Sequence, residues 1–192
     1  MRFASRPDSL QDRYAPDSVC FGCGPANPFG LRIKSAVEGQ VVVCDWQPRP
    51  EHHAFDNILN GGITGTLLDC HSNWTAISAF LDASGASSAP PTVTSEFQLR
   101  FIRPTPMKGP VRLTGKVLNL EVDKAVVEST LEAEGKTRAT FVGTFMVVSE
   151  GHPAFHRWSP SRRAKSEDKR ARASSFREST SSPTFSARLD HE

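Results

Sequence analysis

Apolar and polar positions divide the chain into a patterned middle flanked by two polar ends. The longest periodic segment runs from Asn60 to Gly85. There Ile63, Leu67, Cys70, Trp74, Ile77 and Leu81 recur at the three- and four-residue spacing of one buried helix face. Gly85 suits the C-terminal end of that helix. Upstream, "LRIKSAVEGQVVVCDWQP" reads as two short runs around Glu38-Gly39, a hairpin. Downstream, "TVTSEFQLRFIRP" alternates Phe97, Leu99 and Phe101 with Gln98, Arg100 and Ile102, which predicts one half-buried strand ending at Pro104. "VRLTGKVLNL", "AVVESTLEAEG" and "TRATFVGTFMVV" follow, rich in β-branched residues and broken at Asp123-Lys124 and Gly135-Lys136. They predict consecutive strands of an antiparallel meander. One long helix among five or six strands predicts an α+β unit whose sheet wraps the helix.

The two ends lack enough apolar surface to offset the entropy of ordering them. Residues 1 to 19 and the Ser/Arg-rich stretch 150 to 192 are therefore expected to be flexible, with the folded domain spanning 20 to 149. The chain's 192 residues suffice for one such domain with a core. Its net charge of +2 is unevenly placed, because nine Lys/Arg against five Asp/Glu follow residue 150 and leave residues 1 to 150 at −2. The basic excess belongs to the tail and gives no footprint for nucleic acid. No stretch has the eighteen or so apolar residues of a membrane span, and the N-terminus has no apolar signal region. A soluble cytoplasmic protein with reduced cysteines is expected.

The chemistry concentrates on "NGGITGTLLDCHSNWTA". On a helix Asp69 points away from the apolar stripe, toward the side of Gly65, Ser72, Asn73, Ala76 and Phe80. No Lys or Arg lies between Asn60 and Gly85, so the carboxylate has no cation on its own element. An unpartnered acid on a small-residue face is costly unless it has a task. Gly61 and Gly62, at the helix start, present backbone N–H groups and the positive dipole end to which a carbonyl oxygen can come close. Gly62 and Asp69 stand about 10 Å apart along the axis, at about 1.5 Å per residue. They cannot serve one carbonyl from the same helix, so a shared function requires the second group from another copy of the chain.

These residues carry a family resemblance. "GGITGTLLD", followed by "TSEFQLRFIRPTPMKGPVRLTGKV" and "GKTRATFVGTFMVV", resembles the hotdog-fold acyl-CoA thioesterases of the PaaI-like type, whose motif reads His-Gly-Gly, six residues, then Asp. The leader "CFGCGPANPFGLRI" is similar to the N-terminal signature of one bacterial branch of that group. The resemblance covers about residues 20 to 149. It implies a central helix wrapped by a curved antiparallel sheet, assembly into homodimers or homotetramers, and hydrolysis of an acyl-CoA without a cofactor. It also implies that Asp69 is general base or nucleophile, that the Gly61 or Gly62 N–H of the neighbouring subunit polarises the thioester carbonyl, and that Thr94 orients the water. Asn60 stands where the family has His. Asn donates a hydrogen bond but exchanges no proton near neutral pH, so only a shaping or contacting role survives there.

Further positions complete the expected site. Asn73 shares the acid's side of the helix, and Arg103, Arg100 and Lys108 are expected to meet the phosphates of CoA. His52 and His53 precede the motif in a loop that could close over substrate. Cys20-x-x-Cys23 lacks a second pair to complete a zinc site, Cys44 reads as strand and Cys70 as helix core, so turn and packing roles are expected and no metal. Asp69, Cys70 and His71 diverge by about 100° per residue and form no catalytic chain. Within the same fold the competing function is to bind acyl-CoA without cleaving it. A dehydratase would need a His on the acid's face, and none is there.

Overall fold

A computed structural model describes residues 9 to 158 of the chain. The expectations for residues 1 to 8 and 159 to 192 fall outside the described residues. The first α-helix, α1 (Leu10–Tyr14), is followed by strands β1 (Ala36–Glu38) and β2 (Val41–Trp46), a 3-10 turn (Pro50–His52) and the short strands β3 (His53–Phe55) and β4 (Ile58–Leu59). Helix α2 (Gly61–Ser84) comes next, and strands β5 (Thr92–Phe101), β6 (Val111–Leu120), β7 (Lys124–Ala133) and β8 (Lys136–Val147) complete the fold.

Helix α2 begins where the Asn60 side chain caps the backbone N–H groups of Gly62 and Ile63, at 2.8 and 3.3 Å. It ends at Gly85, whose φ of 66° lies in the left-handed region that glycine adopts without steric cost. Between these ends Leu67, Leu68, Trp74, Ile77 and Leu81 are buried in one core that also holds Val111 and Leu113 of β6, Val127 and Leu131 of β7, and Phe141 and Phe145 of β8. Each such side chain contributes about 1.5 to 3 kcal/mol of transfer free energy. The burial is not confined to one stripe, because Ser72, Asn73, Ala76 and Phe80 on the opposite side are buried as well. The sheet meets that side, through Ser129 of β7 at Ser72 and Thr92 of β5 at Asn73, while the segment around Cys20 and Trp158 meet the apolar stripe at Cys70 and Trp74.

The six-stranded antiparallel sheet has the order β1-β2-β6-β7-β8-β5. The hairpin at Glu38-Gly39 and the meander β6-β7-β8 follow the sequence pattern. Helix α2 carries the chain across the sheet, so β5 pairs with β8 at the far edge and only then does β6 return beside β2. A bulge between Thr94 and Glu96 shifts the β5–β8 register and turns this edge strand locally.

Two segments expected to be loose are in fact packed. In α1, Leu10 and Gln11 are buried, and the Gln11 carboxamide holds Ser35 through its backbone N–H (2.8 Å) and its hydroxyl (3.0 Å). Past the last strand, the Trp158 ring lies 5.2 Å from that of Trp74, and its indole N–H donates to the Pro90 carbonyl at 3.0 Å. A few well-placed apolar and amide groups suffice for this, which composition averaged over a polar stretch conceals.

Candidate active site

Asp69 lies two helical turns past the glycines and lines an open cleft of about 480 Å³ with Gly61, Gly62, Gly65 and Thr66 of α2 and Phe97, Leu99 and Phe101 of β5. Gly61, Gly65 and Asp69 recur every four residues, so the helix presents a groove of bare backbone ending in a carboxylate. Strand β5 supplies the facing wall, with Leu99 over Gly65 and Phe101 over Gly61. Thr94, on β5 beside the bulge, donates its hydroxyl to Asp69 Oδ1 at 2.8 Å. One carboxylate oxygen is thus fixed.

Burial raises the pKa of Asp69 above the ordinary carboxylate value; the Thr94 hydrogen bond and the positive charge of Arg157 oppose that shift. Arg157 follows the last strand, in the segment expected to be flexible, and its guanidinium also bonds the Thr92 carbonyl and lies 4.2 Å over the Trp158 ring. No sequence spacing links it to Asp69, because the effect of its charge depends on residues 152 to 158 turning back to the helix.

The remaining expected site residues separate. Asn60 is the cap of α2, and its Oδ1 occupies the Gly62 N–H. The cap leaves the Gly61 N–H unused, which makes Gly61 the better donor of the two. Asn73 does not line the cleft: it is buried and its Oδ1 accepts from the Thr92 hydroxyl at 2.5 Å. Ser72 likewise points inward, to Ser129 at 2.7 Å. Arg103 lines a second groove of about 330 Å³ that shares Gly61 and Phe101 with the Asp69 cleft, so the two are continuous past the helix N-terminus. Arg100 is exposed on β5 and lines neither groove. Lys108 lies with Arg49 and His53 along a separate, larger cleft of about 680 Å³.

The two loop histidines form no lid. His52 is buried, stacked 5.0 Å from the Trp46 ring, and accepts the Arg49 backbone N–H at 3.0 Å. His53 bonds the Pro50 carbonyl at 2.6 Å. His71 is fully buried and turned away from Asp69. Its Nε2 faces the Val42 carbonyl at 3.1 Å, which can only accept, so Nε2 carries the proton and Nδ1 accepts from the Ser35 hydroxyl at 3.0 Å. Desolvation lowers its pKa to about 4, and it is a neutral structural group.

No family model and no curated protein matches the sequence. Among solved structures, a thioesterase superfamily protein from Shewanella loihica PV-4 is 26% identical, with a TM-score of 0.53; the match covers 65% of this chain and 98% of that one. A Bacillus halodurans protein solved with CoA is 25% identical with a TM-score of 0.50, over 62% of this chain and 72% of its own. The PaaI protein of the E. coli phenylacetic acid degradation operon is 18% identical with a TM-score of 0.52, covering 62% and 81%.

Proposed function

On the premise that the chain is a hotdog-fold member of the thioesterase superfamily, we propose that it hydrolyses a small or medium acyl-CoA to the free acid and CoA. The observation that carries this reading is the placement of Asp69, a carboxylate held by Thr94 and open to a cleft of apolar side chains and bare helix backbone. Asp69 acts on the thioester carbonyl as general base toward water or as nucleophile. As base it takes a proton from water, whose oxygen bonds the carbonyl carbon as the C–S bond breaks, and the proton passes to the departing CoA sulfur. As nucleophile it forms a mixed anhydride as CoA leaves, and water then hydrolyses the anhydride and supplies the thiol proton. The developing oxyanion is met by the Gly61 N–H at the α2 N-terminus of a second protomer. The reason is distance: within one chain Gly61 lies about 12 Å along the axis from Asp69.

The substrate's long arm follows the continuous groove over Gly61, with Arg103 at its end as the phosphate contact. Arg103 is exposed there and its Nη1 donates to the Thr137 carbonyl at 3.2 Å, which leaves other guanidinium N–H groups for phosphate oxygens. Strand β5 forms the seam between protomers. It is a sheet edge, and Phe97 and Phe101 on it are 53% and 61% exposed, an unusual cost for a lone protomer.

Release of free CoA from a panel of acyl-CoAs, followed with a thiol reagent, tests the reading. Asp69→Asn is expected to lower turnover at least about hundredfold while leaving the fold and assembly intact, in line with the loss of a general base. Near-normal turnover in that variant removes Asp69 from the mechanism. Tight binding of acyl-CoA with no release by the wild type replaces hydrolysis with a binding function.

A further inference from the structure

Cys20 and Cys23 belong to the leader and Cys70 to α2, yet their three sulfur atoms lie within 4.8 Å of one another. The Cys20 and Cys70 sulfurs are 3.9 Å apart. Four sulfurs around Zn²⁺ at about 2.3 Å stand about 3.8 Å from each other, so the observed separation is that of a coordination edge and far longer than a disulfide. From sequence Cys70 reads as part of the core stripe. The structure instead turns it to the underside of the leader, which supplies the third ligand that the Cys20-x-x-Cys23 spacing lacks.

Three further features are built around the sulfurs. The loop from Cys20 to Gly24 closes on itself through the Gly24 N–H to Cys20 carbonyl bond at 2.9 Å. Gly22 rests directly on Cys70: a Cβ there would come 2.4 Å from its sulfur, so any side chain would push the leader off the helix. Trp74, one turn past Cys70, is 1% exposed, and its indole N–H has no hydrogen-bond partner in bonding geometry while it is turned toward the Cys23 sulfur. A buried N–H left without an acceptor is costly, and a metal-bound thiolate is a far better acceptor than a neutral thiol.

We propose that Cys20, Cys23 and Cys70 bind one soft divalent cation of the Zn²⁺ type, with water in the fourth position. Each thiol gives up its proton on binding. Cys23 and Cys70 are buried and Cys20 is half-buried, so the open position lies on the Cys20 side. The ion pins the leader to the catalytic helix one residue from Asp69. This site stands on the sulfur geometry alone and does not require the thioesterase reading.

Titration of the reduced full-length chain with Co²⁺ tests it. One equivalent is expected to give thiolate-to-cobalt charge-transfer bands and the intense visible bands of tetrahedral cobalt, both lost on adding Zn²⁺. Cys20→Ser and Cys70→Ser are expected to abolish the spectrum, and Cys44→Ser to retain it, since Cys44 is outside the cluster. In the wild type, Zn²⁺ is expected to slow alkylation of Cys20 at least tenfold. This needs no variant and decides the matter if a Ser variant loses its circular dichroism. An absent cobalt band, a spectrum surviving Cys70→Ser, or an unchanged alkylation rate overturns the proposal. So does a disulfide among the three cysteines whose reduction restores no metal binding.

Discussion

Asn60 shows how one residue resets the roles of its neighbours. Against the His-Gly-Gly pattern it reads as a substitution that removes proton transfer, and the structure gives it a positive task as the cap of α2. That capacity is legible in the sequence, since Asn is among the preferred capping residues, but the family pattern draws attention to what Asn cannot do. Asn60→Ala is expected to lower unfolding free energy by about 1 kcal/mol in urea titrations, and Asn60→Asp to retain most of it. Equal stabilities for wild type and Ala variant would deny the cap its importance. Thr94 makes the complementary case. Its hydroxyl fixes one Asp69 oxygen, and a hydrogen bond to a charged acceptor is worth about 1.5 to 3 kcal/mol. Thr94→Val is therefore expected to reduce kcat about ten- to hundredfold with little change in KM, because its hydroxyl acts through the acid. A variant altered mainly in KM would make Thr94 a binding residue.

At the scale of elements, the strands and α2 were legible because their periodicities are long and their breaks fall at turn residues. What was not legible is which polar positions are internal. Ser72, Asn73 and His71 sit on the side of α2 opposite the apolar stripe, and a periodicity argument hands that side to solvent or to the site. Instead the sheet covers it, and each polar group there has a specific partner: Ser129 of β7 for Ser72, Thr92 of β5 for Asn73, and Val42 of β2 with Ser35 for His71. The chain Gln11–Ser35–His71–Val42 ties α1 and β2 to α2, and it has a pH signature. His71 is neutral when folded, with its pKa lowered to about 4 from 6.5, so between those values the unfolded chain binds more protons. Stability then falls as pH falls through that window, and the loss is complete below the folded value. From 6.5 to about 5 the loss is about 2 kcal/mol. Denaturant midpoints across this range, compared with those of His71→Gln, check the expectation: the variant's pH slope should be shallower by about one proton. Identical slopes would show that His71 is not the group responsible.

For the whole molecule the decisive constraint is the length of α2. A donor at its first residue and an acid at its ninth cannot meet at one carbon, yet both line a single groove beside an exposed aromatic edge strand. The two-fold pairing along β5 that we propose would resolve this by setting each helix start against the other chain's acid, because an isologous interface repeats any contact twice. Gly61 offers a clean way to test it. It is the first residue of the helix, where proline is tolerated, and Asn60 before it has the extended conformation that proline requires, with φ −62° and ψ 135°. A Cβ at that position would meet only ordinary contact with Phe101, at 3.4 Å. Gly61→Pro therefore removes the N–H and little else, and it should lower kcat about hundredfold, as expected for loss of one oxyanion donor. Mixed one to one with Asp69→Asn, followed by dissociation and reassembly, it should regain about a quarter of wild-type activity. Half of the dimers are then mixed, and each of those has one intact site built from the Asp69 of one chain and the Gly61 of the other. Activity that stays at the level of the separate variants would place both groups of a site in the same protomer, a geometry that α2 as a straight helix does not permit.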